Sequence, residues 1–253
     1  MPRDSVVALT QEPQDNEPLA ALLSDHGITS LSYPCIATEI KPYAGGELPD
    51  ELLGGRTLRD FGVLAFSSKR GVSGMALARE QLLVAQPMLA CVGEATAAEA
   101  ERVLGLSCKI IPQEQTGAGM AQAIIARLEP ARPVLHPRGN KTTGEFVRIL
   151  TEHGWEVCEL EVYANHAPDL EPLRHGAISL AVFASPSAAS CFFAANTQLK
   201  STLRCVAIGS VTGQALRELR AKHITEAAEP SHAGLVNKVL EVIDQEIKHD
   251  TEH

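Results

Sequence analysis

The amino-acid sequence predicts an α/β fold of two similar lobes, each a parallel sheet flanked by helices, and three observations carry that expectation. Short apolar runs alternate with amphipathic segments along nearly the whole chain, the pattern of a parallel sheet covered on both faces. Three strand-then-helix turns each occur twice, in the same order. Val92-Gly93-Glu94-Ala95-Thr96-Ala97 matches Ile208-Gly209-Ser210-Val211-Thr212-Gly213; Phe66-Ser67-Ser68-Lys69-Arg70-Gly71 matches Phe183-Ala184-Ser185-Pro186-Ser187-Ala188; and Thr116-Gly117-Ala118-Gly119-Met120 matches Ser231-His232-Ala233-Gly234-Leu235. The offsets, 93 to 209, 66 to 183 and 119 to 234, agree within two positions, as two copies of one unit require. The third observation is that the opening unit also recurs, but in mid-chain: Leu9-Thr10-Gln11-Glu12, a helix and Asp25-His26-Gly27 correspond to His136-Pro137-Arg138-Gly139, a helix and Glu152-His153-Gly154. The lobes are therefore expected to interleave, with 1–34 plus 166–253 forming one, 39–160 the other, and 35–38 and 161–165 crossing between them.

Element by element, Val6 to Leu9 reads as a buried strand. Leu19, Leu22 and Leu23 give helical spacing over 17–26, and Gly27 stops that helix. A strand from Ile28 to Tyr33 ends at Pro34. The stretch 41–59, with Pro42, Gly45, Gly46, Pro49, Gly54 and Gly55, is turn-rich and reads as the passage between lobes. Strands at 61–66, 88–92 and 108–111 then alternate with helices at 69–84, 94–104 and 116–128. Strand 134–136 and helix 141–153 follow. The last part repeats the alternation, with strands 178–183, 203–208 and 224–228 and helices 186–198, 210–221 and 232–247. From Lys248 onward the chain is expected to fray.

At 253 residues there is chain enough for two cores of about 125 residues each. No apolar run approaches the roughly 20 residues of a membrane span, and Met1-Pro2-Arg3-Asp4-Ser5 leads into a strand, not a signal sequence, so a cytoplasmic protein without membrane contact is expected. Six cysteines form no Cys-x-x-Cys pair and read as reduced core residues. Nine histidines lack metal-ligand spacing, so no metal is expected; His26 and His153 instead precede helix-ending glycines, where an imidazolium suits the dipole. A net charge of −9, with no basic cluster beyond Lys69-Arg70, argues against nucleic acid. The turns at Gly93 and Gly209 lack the spaced glycines of a dinucleotide loop, and no phosphate-loop Gly-Lys-Ser/Thr occurs, which disfavours a nucleotide-dependent enzyme.

Leu9-Thr10, Phe66-Ser67-Ser68, the Gly93 turn, His136-Pro137-Arg138-Gly139-Asn140, Glu161-Val162-Tyr163, the Ser185 and Gly209 turns and Pro230-Ser231-His232-Ala233-Gly234-Leu235 together resemble the uroporphyrinogen-III synthase family over nearly the whole chain. The fold class then expected is two flavodoxin-like lobes joined by a two-stranded linker. The resemblance implies a hydro-lyase that uses no cofactor. It would cyclise the linear tetrapyrrole hydroxymethylbilane to uroporphyrinogen III, losing water and inverting ring D, on the way to haem and sirohaem. It also implies a monomer, with hydroxymethylbilane synthase at most a transient partner. Two places depart from the family's usual pattern, Thr10-Gln11 where Thr-Arg is common and Ser210-Val211-Thr212 where Pro-Thr-Thr is common.

A substrate with eight carboxylates and an acidic protein pose an electrostatic problem. Helix starts can solve it locally, each contributing about 0.3–1 kcal/mol toward a nearby anion, although the same groups serve equally well as plain caps. Candidate binding residues at such turns are Ser67, Ser68, Lys69, Thr96, Arg138, Ser185, Ser187, Gly209 and Ser210, with Arg70 and Lys141 in support. Lys69 beside a helix N-terminus is electrostatically misplaced unless an anion joins it. Tyr163 matches the family tyrosine and is the expected donor to the departing hydroxyl, because a phenol stays protonated at neutral pH. Thr212 is the second catalytic candidate, ranked above Thr96 because its lobe also presents Ser185 and Ser187. The competing reading is a binding protein for a small anionic metabolite, without turnover, and it gains if Tyr163 and both threonines point into packed cores.

Overall fold

A computed structural model describes residues 6–41, 48–174 and 176–251. By its contacts the chain divides into two compact units, Met1–Ala37 with His166–His253, and Thr38–Asn165. In chain order the elements are β1 (Val6–Leu9), α1 (Pro13–Asp25), β2 (Thr29–Ser32), β3 (Ala37–Ile40), β4 (Val63–Phe66), α2 (Lys69–Gly74), α3 (Arg79–Ala85), β5 (Met88–Cys91), α4 (Glu94–Leu104) and α5 (Gly117–Ile125). They continue with β6 (Val134–Gly139), α6 (Glu145–Glu152), β7 (Val157–His166), β8 (Leu180–Phe183), α7 (Pro186–Ala195), β9 (Arg204–Ala207), α8 (Ser210–Glu218), β10 (His223–Glu226) and α9 (His232–Thr251).

The first unit's sheet runs β2-β1-β8-β9-β10, with every pair parallel. Counted within that unit the order is 2-1-3-4-5, the doubly wound flavodoxin-like arrangement. The second unit's sheet runs β3-β7-β6-β4-β5, parallel from β7 to β5, and Ile110 bridges to Ala90 beyond the β5 side. Here β6 and β7 take the places of β1 and β2, while β4 and β5 take those of β8 and β9. The second copy therefore begins at its third strand. β3 lies beside β7, joined by Lys41 N–H to the Val162 carbonyl at 3.0 Å and by a 2.8 Å bond between the Thr38 hydroxyl and Asn165.

Fully buried strands such as Val63-Leu64-Ala65-Phe66 and Leu180-Ala181-Val182-Phe183 need apolar residues on both faces, which explains their unbroken hydrophobic runs. Each sheet accordingly separates two cores. In the second unit Leu64, Phe66, Val72 and Leu82 cluster on one side; Val63, Ala65, Met120, Leu150 and Trp155 cluster on the other. The first unit has Phe183, Phe192 and Phe193 on one side of its sheet and Val7, Leu9, Leu19 and Leu235 on the other. All six cysteines are free, and burial pushes the Cys205 thiol up to about 12.

Local geometry repeats along with topology. Thr116 caps α5 by accepting the Gly119 N–H at 2.9 Å, and Ser231 accepts the Gly234 N–H at 3.0 Å. In both turns the glycine lies tight on a carbonyl. A Cβ at Gly119 would sit 2.1 Å from the Glu114 oxygen, and one at Gly234 would sit 2.2 Å from that of Glu229.

Several elements depart from the sequence expectation. The single helix over 69–84 is broken: α2 ends at Gly74, Met75 leaves helical geometry, and a 3-10 turn at Ala76–Ala78 precedes α3. Two glycines weaken the helix here, and close approach requires them, since a Cβ at Gly71 would lie 2.9 Å from the Pro137 oxygen and one at Gly74 2.5 Å from the Val162 side chain. The strand at 108–111 shrinks to the Ile110 bridge, and Pro112 just beyond it has no N–H to extend a ladder. Helix 141–153 starts only at Glu145, after Gly144 in a left-handed conformation (φ +71°), so Lys141 precedes the helix. α1 begins earlier than expected, on Pro13, a residue suited to the first helical position. α7 stops at Ala195, α5 at Ile125 and α8 at Glu218, each short of its expected end. Beyond the expected fraying point at Lys248, α9 continues to Thr251; Glu252 and His253 lie outside the described residues, as do the chain start 1–5 and Pro42, Gly45 and Gly46 of the turn-rich passage.

Candidate functional site

In an open doubly wound sheet, ligands bind beyond the carboxyl ends of the strands where the strand order reverses. In the second unit that place lies between β4 and β6, and four chemistry-bearing residues meet there. Ser67 and Ser68 follow β4 directly, His136 lies on β6, and Tyr163 lies toward the end of β7. The Tyr163 hydroxyl is 3.2 Å from Ser68 Oγ, and Ser68 also caps α2 by accepting the Gly71 N–H at 3.1 Å. The Ser67 hydroxyl, on an exposed residue, lies 3.2 Å from His136 Nε2.

Gly139 makes room for the tyrosine. The β6–β7 register shifts between Arg138 and Gly139, which places Tyr163 opposite Gly139. The ring then lies so close that a Cβ there would be 2.4 Å from Tyr163 Cε2.

His136 is only 2 % exposed and lies against the Phe146 ring, with centroids 4.6 Å apart. Burial, aided by the nearby Arg138 guanidinium, pushes its pKa down to about 4, so the ring is neutral at pH 7. The unfolded chain, with an ordinary histidine near 6.5, takes up that proton first as pH falls. The associated stability is thus present above pH 6.5 and lost toward pH 4, an expected decrease of about 3 kcal/mol. Denaturant unfolding at both pH values checks this, and His136→Phe is expected to remove that much of the pH dependence.

The internal repeat supplies a control for Tyr163. Tyr33 ends the corresponding strand segment of the other unit, yet its ring is 9 % exposed and its hydroxyl is held from two sides. It donates to the Glu171 carbonyl at 2.7 Å and accepts from the Asn196 amide at 3.0 Å. Tyr163 is half-buried, and its hydroxyl has Ser68 as its one hydrogen-bond partner among the described residues.

Other candidates fall differently. Arg138 is already neutralised: Nε lies 2.6 Å from Glu159 and Nη1 3.8 Å from Glu161, and Nη1 donates to the Gly139 carbonyl. Glu159 and Glu161 were not anticipated, although their i, i+2 spacing on β7 puts both on one face and so was a legible signal. Lys69 is exposed in the first turn of α2. Thr96 and Thr212 occupy matching third positions of α4 and α8 and are only 6 % and 3 % exposed. In the first unit, Ser185 caps α7 by accepting the Ala188 N–H at 3.2 Å, Ser187 and Ser210 are exposed, and Gly209 opens α8 with free space where a Cβ would stand. Beside them Thr10 is spent on the Val182 carbonyl at 2.7 Å, while the buried Gln11 Nε2 has no partner among the described residues. Among the described residues no group of three or more His, Cys, Asp and Glu could hold a metal ion, and no helix is long and apolar enough to cross a membrane.

The family model for uroporphyrinogen-III synthase HemD matches residues 17–237. The chain belongs to the uroporphyrinogen-III synthase family. Membership makes it an enzyme, a lyase of tetrapyrrole biosynthesis acting on a small-molecule tetrapyrrole. It is 28 % identical to a uroporphyrinogen-III synthase of Chlorobaculum parvum, over 85 % of this chain and 90 % of that one. A chloroplastic uroporphyrinogen-III synthase of Oryza sativa subsp. japonica is 26 % identical, over 94 % and 80 %. The fold matches the crystal structure of uroporphyrinogen-III synthetase from Helicobacter pylori with a TM-score of 0.65, at 17 % identity, over 94 % of this chain and all of that one. A mutant Thermus thermophilus uroporphyrinogen III synthase gives 0.56 at 19 % identity, over 96 % and 100 %.

Proposed function

We propose that this member of the family closes hydroxymethylbilane to uroporphyrinogen III with inversion of ring D, and that Tyr163 assists departure of the terminal hydroxyl. The contrast between Tyr163 and its repeat counterpart Tyr33 carries the residue assignment. Ser68 Oγ already accepts the Gly71 N–H, so its own proton is free to go to the Tyr163 oxygen. The phenolic proton is then available to an outside acceptor. As that acceptor, the substrate's hydroxyl leaves as water while a pyrrole nitrogen supplies the electron pair. The resulting azafulvene is attacked by the substituted carbon of ring D, and the spiro intermediate fragments and recloses inverted. No strong acid is needed; the protein's task is to hold the chain ends in position and to prevent the simpler uninverted closure.

Acid groups of the substrate are assigned to Ser67, Lys69, Ser185, Ser187, Gly209 and Ser210, whose hydroxyls, ammonium and helix-start N–H groups favour anions, while Ser68, its hydroxyl engaged by Gly71 and Tyr163, acts through Tyr163. Thr96 and Thr212 act on this reading by bracing their turns, because so little of either is exposed. Arg138 acts through its carboxylate partners on the end of β6, not as a free cation. A monomer in the cytoplasm, touching hydroxymethylbilane synthase at most transiently, completes the reading; six unpaired cysteines support the reducing compartment.

The test is to feed the protein hydroxymethylbilane and resolve the products by chromatography. The type III isomer is expected; type I alone, at the rate seen without protein, rejects the assignment. Two weaker variants are expected to separate in steady-state kinetics. Lys69→Ala should raise KM about two- to fivefold with little change in kcat, the worth of one exposed charge. Thr212→Ala should cost less than about tenfold in kcat, since its hydroxyl is nearly enclosed.

A further inference from the structure

We infer that His136 is a positioning residue that holds the Ser67 hydroxyl as a hydrogen-bond donor toward a carboxylate of the substrate. The inference rests on the assignment of Ser67 to substrate binding and adds what orients it. A neutral imidazole carries one proton. His136 Nδ1 is buried without a partner among the described residues, whereas Nε2 lies 3.2 Å from Ser67 Oγ. A proton on Nδ1 would leave a buried N–H unpaired, a rarer and costlier defect than a buried lone pair. The proton therefore belongs on Nε2, where it is donated to Ser67 Oγ. Ser67 cannot then return its own proton to the ring, and on an exposed residue that proton points outward. The opposite tautomer would consume the serine proton and present lone pairs to solvent, which repel a carboxylate.

The internal repeat shows that the fold itself does not require the pair. The positions matching His136 and Ser67 in the other unit are Leu9 and Ala184, apolar side chains that build the same strand ends without such a pair; there the Thr10 hydroxyl donates to the Val182 carbonyl instead. A buried histidine facing a serine in only one copy has a task beyond packing. Phe146 and the surrounding apolar side chains keep the ring neutral and fixed, so the donor is set before any ligand arrives.

Nitrogen-15 and proton NMR of the wild-type imidazole reads the tautomer directly. A proton on Nε2 is expected; one on Nδ1 overturns the inference while leaving the binding role of Ser67 standing. In kinetics, Ser67→Ala and His136→Phe are each expected to raise KM about tenfold, with the loss in KM more than in kcat. The double variant should be no worse than Ser67→Ala alone, and His136→Gln, whose amide N–H can reach the same oxygen, should recover most of the loss. Additive losses, or no recovery by glutamine, overturn the positioning role. An unchanged KM in Ser67→Ala overturns the binding assignment itself, and the inference with it.

Discussion

Tyr163→Phe is expected to lower kcat about ten- to a hundredfold while the thermal midpoint stays where it is, the range for losing one assisting donor. The side chain keeps its ring contact with Gly139 and loses only the oxygen, whose single described partner is the Ser68 hydroxyl. Ser68 keeps its capping bond to Gly71, so α2 should not be disturbed. Gly139→Ala approaches the same atom from the other side. A Cβ there would stand 2.4 Å from the ring, which must move, carrying the hydroxyl away from its place. Its kcat should therefore fall at least as far as that of Tyr163→Phe. Tyr33→Phe gives the contrast: its hydroxyl ties Glu171 to Asn196, so stability should drop by about 1 kcal/mol and turnover hold. Full activity in Tyr163→Phe removes the tyrosine from the mechanism.

Gly119→Ala and Gly234→Ala should each cost about 1–3 kcal/mol of stability, since among the described glycines these two would set a methyl group hardest against backbone. Both new methyl groups meet a backbone carbonyl at 2.1–2.2 Å, and backbone cannot swing aside as a side chain can. The helix start must shift, endangering the caps from Thr116 and Ser231. Because the two glycines belong to different units, each variant should loosen its own half of the chain. Hydrogen exchange resolved by peptide reads this. Gly119→Ala should speed exchange in α5 and the β5 strand, and Gly234→Ala in α9 and β9; equal effects of both variants on one unit would contradict two independent copies of the turn.

Much of the architecture was legible because parallel strands buried on both faces leave an unmistakable mark, as Val63-Leu64-Ala65-Phe66 does, and because duplication printed that mark twice. Less was legible where long-range approach overrules local pattern. The spacing over 69–84 suits one helix, yet α2 ends at Gly74, and Gly71 and Gly74 leave only the room that Pro137 and Val162 fill. The two glycines and Ser73 in one short stretch were a hint that helix propensity was weak. Gly144 similarly sits in a left-handed conformation that a count of apolar residues cannot see.

The site divides along the same line. Tyr163, Ser67 and Ser68 could be named from motifs, but their meeting depends on β4, β6 and β7 lying side by side. His136 was visible only as part of a motif, since its partner is 69 residues away. Arg138 looked like a free cation in sequence because its two carboxylate partners come from the neighbouring strand. Thr96 and Thr212 stood out by repetition, and repetition selects what the fold needs as readily as what the chemistry needs. Their burial agrees with the former.

The most direct measurement is a crystal structure of the protein with uroporphyrinogen III bound. A tetrapyrrole carboxylate within hydrogen-bond distance of Ser67 Oγ, with the Tyr163 hydroxyl turned toward the macrocycle, is the predicted result. A product molecule bound away from the carboxyl ends of β4 and β6, with Tyr163 touching only protein, would contradict it.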